Sequence, residues 1–135
     1  MAVINLKDAS VTINSVDLSD RCQSISLSYE SDSVEVTAMG QTSHVFTGGL
    51  FNISVDLMLF QDFASSETEA TIFPLVGSTT TLVIKPTSGA VSATNPSYTI
   101  ANAFVQSHQP VGGSVGDMAM TSMSVVGGTL TKAVS

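Results

Sequence analysis

The sequence predicts a mainly β protein with one short α-helix at about residues 66–75. Two observations carry this. Apolar and polar residues alternate with a period of two through several segments, as in strands with one face toward a core. One segment alone breaks the pattern: Ser65-Ser66-Glu67-Thr68-Glu69, followed by Ala70, Ile72, Phe73 and Val76 and closed by Gly77.

Taken in chain order, residues 11–13 and 16–18 form a small hairpin over Asn14-Ser15, a weaker turn pair than Asn-Gly. In residues 22–29, Ile25, Leu27 and Tyr29 alternate with Ser24, Ser26 and Ser28. Residues 52–60 repeat the device, with Ile53, Val55, Leu57 and Leu59 on one face and Asn52, Ser54, Asp56 and Met58 on the other. In the helical segment, Ser66 and Glu69 have capping-box spacing, Glu67 and Glu69 suit the positive end of the helix dipole, and Pro74 limits its regularity. Residues 79–84 are β-branched except Leu82 and stop at Pro86. Residues 88–97 read as a polar turn cornered at Asn95-Pro96. Residues 99–106, 118–126 and 129–133 complete the strands, with Met118 and Met120 on one strand face as core filler.

Residues 30–49 differ from the rest. Val34, Val36 and Ala38 alternate with Glu35 and Thr37, but Asp32, Gly40, Gln41, Thr42 and Ser43 dilute any core face. Such a strand gains little by packing on its own domain and more by pairing with a neighbouring chain. The alternative is a long surface loop.

Composition narrows the function. The 135 residues suffice for a single domain with a real core, residues 1–135. Charged residues make up only 11% and hydrophobic ones 43%. Ser and Thr supply roughly a quarter of the chain, well above ordinary usage. Low charge with this apolar content fits a surface covered by other subunits. Four Lys and Arg against eleven Asp and Glu give a net charge of −7, which argues against a phosphate-backbone binder. The single cysteine, Cys22, excludes an intramolecular disulfide and a Cys-rich zinc site. No stretch approaches the ~18 apolar residues of a membrane span. Residues 1–8 have no secretory-signal pattern, so synthesis in a cytoplasm is expected.

A search for chemistry returns no catalytic, cofactor-binding or metal-binding residues. His44 and His108 lack His-Glu-x-x-His spacing and read as turn or surface polarity. No Gly-x-Ser-x-Gly elbow precedes a helix. Gly48-Gly49, Gly112-Gly113 and Gly127-Gly128 are turns, since none is followed by Lys-Ser/Thr. Asp17 with Asp20, and Asp56 with Asp62, lack calcium-loop spacing and read as solvated strand-end carboxylates. Cys22 follows Arg21, which makes a lowered thiol pKa conceivable; a buried small apolar side chain is the simpler reading.

Several pieces, in order, resemble one family. They are residues 11–20 (VTINSVDLSD), 34–40 (VEVTAMG), Gly49-Leu50 before a strand ending Phe60-Gln61-Asp62-Phe63, Lys85-Pro86-Thr87-Ser88, residues 92–98 (SATNPSY), and Pro110-Val111 with Gly116-Asp117. This set resembles the major tail proteins (tail tube proteins) of long-tailed bacteriophages, especially actinobacterial phages. The sequence departs from that pattern at His44-Val45, where a basic residue is expected.

The resemblance implies a β-sandwich or barrel-like domain with one flanking helix, six copies to a ring, and rings stacked into a tube. Each subunit would lend strands to a continuous inner barrel, and the extended loop or hairpin at about 30–49 would reach an adjacent ring. Its implied inter-subunit contacts are Val34, Val36, Met39 and Val45. Glu30, Asp32, Glu35 and Asp56 are the acidic residues expected to face the lumen. Implied partners are further copies, other tail proteins at the tube ends, and genomic DNA that passes without specific binding; no membrane insertion is implied. The implied location is the virion, after synthesis in the bacterial host. A capsid decoration or cement protein, or another tail-ring component, is the second reading, and a small β-barrel enzyme the third.

Overall fold

A computed structural model describes residues 7–65 and 67–134. Eight strands and one short helix follow in the order β1 Ser10–Ile13, β2 Val16–Asp17, β3 Cys22–Glu35, β4 Phe46–Phe60, α1 Thr68–Ile72, β5 Thr79–Lys85, β6 Ser97–Gln109, β7 Met120–Val126 and β8 Thr129–Ala133. The strands form one antiparallel sheet in the order β2-β1-β5-β6-β7-β4-β3, with β8 also on β6. The expected mainly β class with one short helix is what the chain adopts.

The sheet folds over on β6. The first part of that strand pairs with β5 and β8, and its last part with β7. Asn102 lies between the two parts at φ 58°, a left-handed conformation that Asn tolerates better than most residues. Val11, Ile13, Leu82, Ile84 and Ile100 of one half thus meet Ile53, Val55, Leu57, Leu59, Met123 and Val125 of the other in a single core. The alternation expected over residues 52–60 of β4 holds, since Ile53, Val55, Leu57 and Leu59 are all buried, whereas Phe51 on the arm is exposed. Ile25 and Leu27 of β3 are only half-buried against this core, and Tyr29 is exposed.

The β1–β2 hairpin turns at Asn14 and Ser15 as expected, both with positive φ, the geometry that matches strand twist in a two-residue turn. The helical segment is shorter than expected. It has one α-helical stretch, Thr68–Ile72, and then a 3-10 turn, Phe73–Leu75, where Pro74 removes a backbone donor. Glu67 occupies the N-cap position without a side-chain cap; the expected cap, Ser66, lies outside the described residues. Ile72 seats the helix in the core, and the Thr68 hydroxyl donates to the Phe60 carbonyl at 3.2 Å. Strand β7 begins at Met120, so Met118 stands in the preceding loop, 71% exposed, and is not the core filler expected. Met123 takes that role.

Residues 30–49 form a hairpin whose strands pair within the chain and are joined by a loop over residues 36–45. β3 runs on to Glu35 and β4 begins at Phe46, and the two strands pair with each other beyond the core. The result is a projecting two-stranded arm. A register shift between Ser31 and Ser33 marks its root. Gly49 passes so close there that a Cβ would stand 3.1 Å from the Cβ of Asp32.

Candidate functional site

The side chains able to do chemistry are scattered or already engaged. His44 lies on the arm, its Nδ1 2.5 Å from the Glu35 carboxylate, and is widely exposed. His108, expected at the surface, is buried, with a side chain 1% exposed. The register shift between Val105 and Ser107 explains the difference. One extra residue in β6 lets Val105 and His108 both face inward, whereas strict alternation would bury Ser107. The His108 ring meets Glu69 of α1 at 2.9 Å and Thr121 of β7 at 3.2 Å, and Gln61 donates to the same carboxylate at 3.0 Å. This cluster fastens the helix to the sheet. No local sequence signal could have found it, because Glu69 and His108 lie 39 residues apart.

Cys22 is half-buried, and burial pushes its thiol up from the ordinary value. Arg21 does not activate it; the guanidinium holds Asp62 at 2.8 Å, Asp20 at 3.0 Å and Glu67 at 3.6 Å. Backbone donation from Ala64, together with Arg21, holds the Asp62 carboxyl below its usual range. The Ser19 hydroxyl and backbone N–H do the same for Asp17. Among the described residues, no group of three His, Cys, Asp or Glu is placed to hold a metal.

Two surfaces are organised on a larger scale. The first is the outer face of the four strands β3, β4, β7 and β6. The pairing sets Ser26 beside Asp56, Asp56 beside Ser124, and Ser124 beside Ser107. One step along, Ser24, Met58 and Ser122 form the next row, and Ser28 pairs with Ser54 on the other side. The positions that alternate with the core residues therefore merge into a serine-rich face, interrupted by Met58 and, beyond Ser54, by Val126 and Phe104. Its charges are carboxylates: Asp56 at the centre and Glu30, opposite Asn52, at the arm end. Asp32 accepts a hydrogen bond from Asn52 at 2.6 Å. Glu35 stands further out on the arm and also receives the Thr37 hydroxyl at 2.9 Å.

The second surface is the arm. Val34 and Val36 are half exposed, Met39 fully, Val45 38% and Phe46 57%. Tyr29 and Phe51 stack at its base with ring centroids 5.3 Å apart, a pair that alternation alone does not reveal. The four expected contact residues Val34, Val36, Met39 and Val45 thus share this projection. Among the described residues, β3 pairs only with β4, leaving one edge of a 14-residue strand open. Open edges of this kind add strands from other chains.

No family model matches the sequence, and no curated protein matches it. The fold itself has clear counterparts. A chain from the virion of a native gene transfer agent particle superposes with a TM-score of 0.77 at 14% identity, covering 98% of this chain and 100% of the other. The tube of the SPP1 tail gives a TM-score of 0.72 at 11% identity, over 95% of this chain and 77% of that one. A chain from the tail of an empty gene transfer agent particle, of C6 symmetry, gives 0.69 at 16% identity, over 96% and 98%. This chain has the fold of tail tube proteins.

Proposed function

We propose that the chain is a structural tail tube subunit of a long-tailed phage, of the actinobacterial type its sequence resembles, and not an enzyme. The reading rests on one observation: the fold similarity to components of tails and tail tubes spans nearly the whole chain. Six copies join into a ring, with the open edge of β3 meeting the far edge of the four-stranded unit, at the end of β6, in the next copy. A head-to-tail contact of this kind closes when its rotation divides the circle, and no edge is left to aggregate. Rings then stack through the arms, with Val34, Val36, Met39 and Val45 in the contact. Other tail proteins cap the ends.

The serine-rich face lines the bore in this arrangement, with Asp56, Glu30 and Asp32 among its hydroxyls, while Glu35 belongs to the arm. A ring of six chains, each at −7, carries about −42. Lysine or arginine in the bore would hold DNA by releasing its counterions; a neutral wall with scattered carboxylates lets it slide during ejection.

Electron microscopy of concentrated purified protein tests the reading. Open-ended tubes or six-membered rings are the expected result. A stable monomer, or a trimer that only coats capsid shells, would favour a decoration protein instead.

A further inference from the structure

The His108 ring is enclosed, with its side chain 1% exposed, and both of its nitrogens meet polar atoms. Nε2 lies 2.9 Å from Oε2 of Glu69 on α1, and Nδ1 lies 3.2 Å from the Thr121 hydroxyl on β7. That hydroxyl also stands 2.5 Å from the Gln109 carbonyl oxygen. A carbonyl has no hydrogen to give, so the single Thr121 hydrogen belongs to that shorter contact. The hydroxyl therefore turns a lone pair toward the ring, and Nδ1 has to donate. On the other side, Oε2 already accepts from Gln61 at 3.0 Å, and that amide hydrogen cannot serve the contact with Nε2. Three contacts thus run in series, from Gln109 through Thr121 and His108 to Glu69, and each needs a hydrogen of its own. A hydroxyl, a neutral imidazole and a carboxylate own only two between them.

We propose that one exchangeable proton completes this series, and that α1 is fastened to the sheet by a pH-sensitive clasp. With the proton in place, the ring donates from both nitrogens and faces an ionised carboxylate. Without it, one of the three contacts sets two lone pairs against each other away from water, where an unmatched polar group costs most. Imidazole is the side chain that exchanges its proton nearest neutrality, and the Glu69 side chain, 20% exposed, gives that proton a way out to solvent. The neighbouring elements bring no competing charge to the ring. Strand β7 has no titratable side chain. Asp62, beside Gln61, and Glu67, at the start of α1, are both held by Arg21. Asp117, in the loop from β6 to β7, makes no hydrogen bond with the ring. The clasp is therefore closed on the acid side of the imidazole titration and opens as pH rises through it. Asp17 and Asp62, held below the usual carboxylate range, act in the opposite sense and only in acid. What the clasp holds down is α1, with Thr68, Thr71 and Ile72 buried beneath it.

Nitrogen NMR of the full chain reads the ring directly. At about pH 6 both His108 nitrogens should carry hydrogen, and as pH rises toward about 8 one of them should lose it together with a change in the amide signals of Thr68–Ile72. Denaturant unfolding over the same range is the second measurement. It is made in a Cys22→Ser background, because burial of that thiol adds a pH dependence of its own on the alkaline side. The unfolding constant should rise a few-fold, within the roughly tenfold per pH unit that release of one proton permits. His108→Gln and Glu69→Gln should each lose that rise, while His44→Gln should keep it. Thr121→Val leaves a single contact for the ring to satisfy, so the rise should shrink even though His108 and Glu69 both remain. That result separates a proton count from simple packing of the helix. A ring bearing a single hydrogen at about pH 6, or a pH dependence that survives unchanged in both Gln variants, overturns the clasp. The ring measurement uses the parent side chains, so it decides the matter even where a variant fails to fold.

Discussion

Leu57 sits at the middle of β4, 2% exposed, with Ile25 of β3 and Met123 of β7 at the paired positions. Leu57→Asp buries a carboxylate with no partner, at a cost of more than about 4 kcal/mol against a usual stability of about 5–15. Loss of the β signal in circular dichroism and of cooperative unfolding is the expected outcome. Gly128 is constrained differently, by backbone. Its φ is +92°, and a Cβ would stand 2.5 Å from the Ala101 carbonyl oxygen. Gly128→Ala should therefore lower stability by about 1–3 kcal/mol, read as a shift of the denaturant midpoint. At this scale the sequence is legible where period-two alternation is strict. Leu57 is read correctly from its neighbours, and so is the Asn14-Ser15 turn. His108 is misread because one inserted residue in β6 reverses the alternation, and Met118 because β7 starts two residues later than its apolar pattern suggests.

The arm is the element on which the proposed assembly turns. Its strands satisfy each other's hydrogen bonds along one edge, and its side chains lie outside the core cluster. Its exposed valines are therefore free to change without unfolding the body. Val34→Asp and Val36→Asp should leave circular dichroism and melting temperature close to the parent values, within about 0.5 kcal/mol, while abolishing polymerisation in a pelleting assay. Tubes formed normally by both variants would remove the arm from the contact. In the sequence this element is half visible. Polar residues on both faces of 30–49 mark a segment with no core of its own, but they carry no information about which strand completes the ladder. The answer is the return strand Phe46–Phe51, whose apolar residues read like a loop because they have nothing in the same domain to cover them. Helix α1 shows the converse. Its composition announces a helix, yet its seat depends on the non-local Glu69–His108 pair.

For the whole molecule, the uneven distribution of charge is the main feature. The serine-rich face of β3, β4, β7 and β6 carries carboxylates alone as its charged groups, whereas Lys85 and Lys132 lie on β5 and β8 of the other half. Assembled particles should not retain duplex DNA in a filter or gel-shift assay even at low salt, where a basic bore would bind it most strongly. Retention that weakens steeply with added salt would reverse the assignment of the inner wall. Composition already carries half of this argument, since a net −7 with few Lys and Arg argues against a phosphate-gripping surface from the sequence alone. Which acids share a face follows only from the β3-β4-β7-β6 register.

The arm tip also holds Met39, whose side chain is wholly in solvent, while Met123 is enclosed at 2% exposure. The chain therefore carries its own built-in chemical clock. Thioethers open to water are converted to sulfoxides by peroxide far sooner than enclosed ones. In free subunits Met39 should gain its 16 daltons (about the mass of one oxygen) early and Met123 last. If the tip becomes sheltered when subunits come together, the lag acquired by Met39 reports that event at a single position, by mass spectrometry, with no label added.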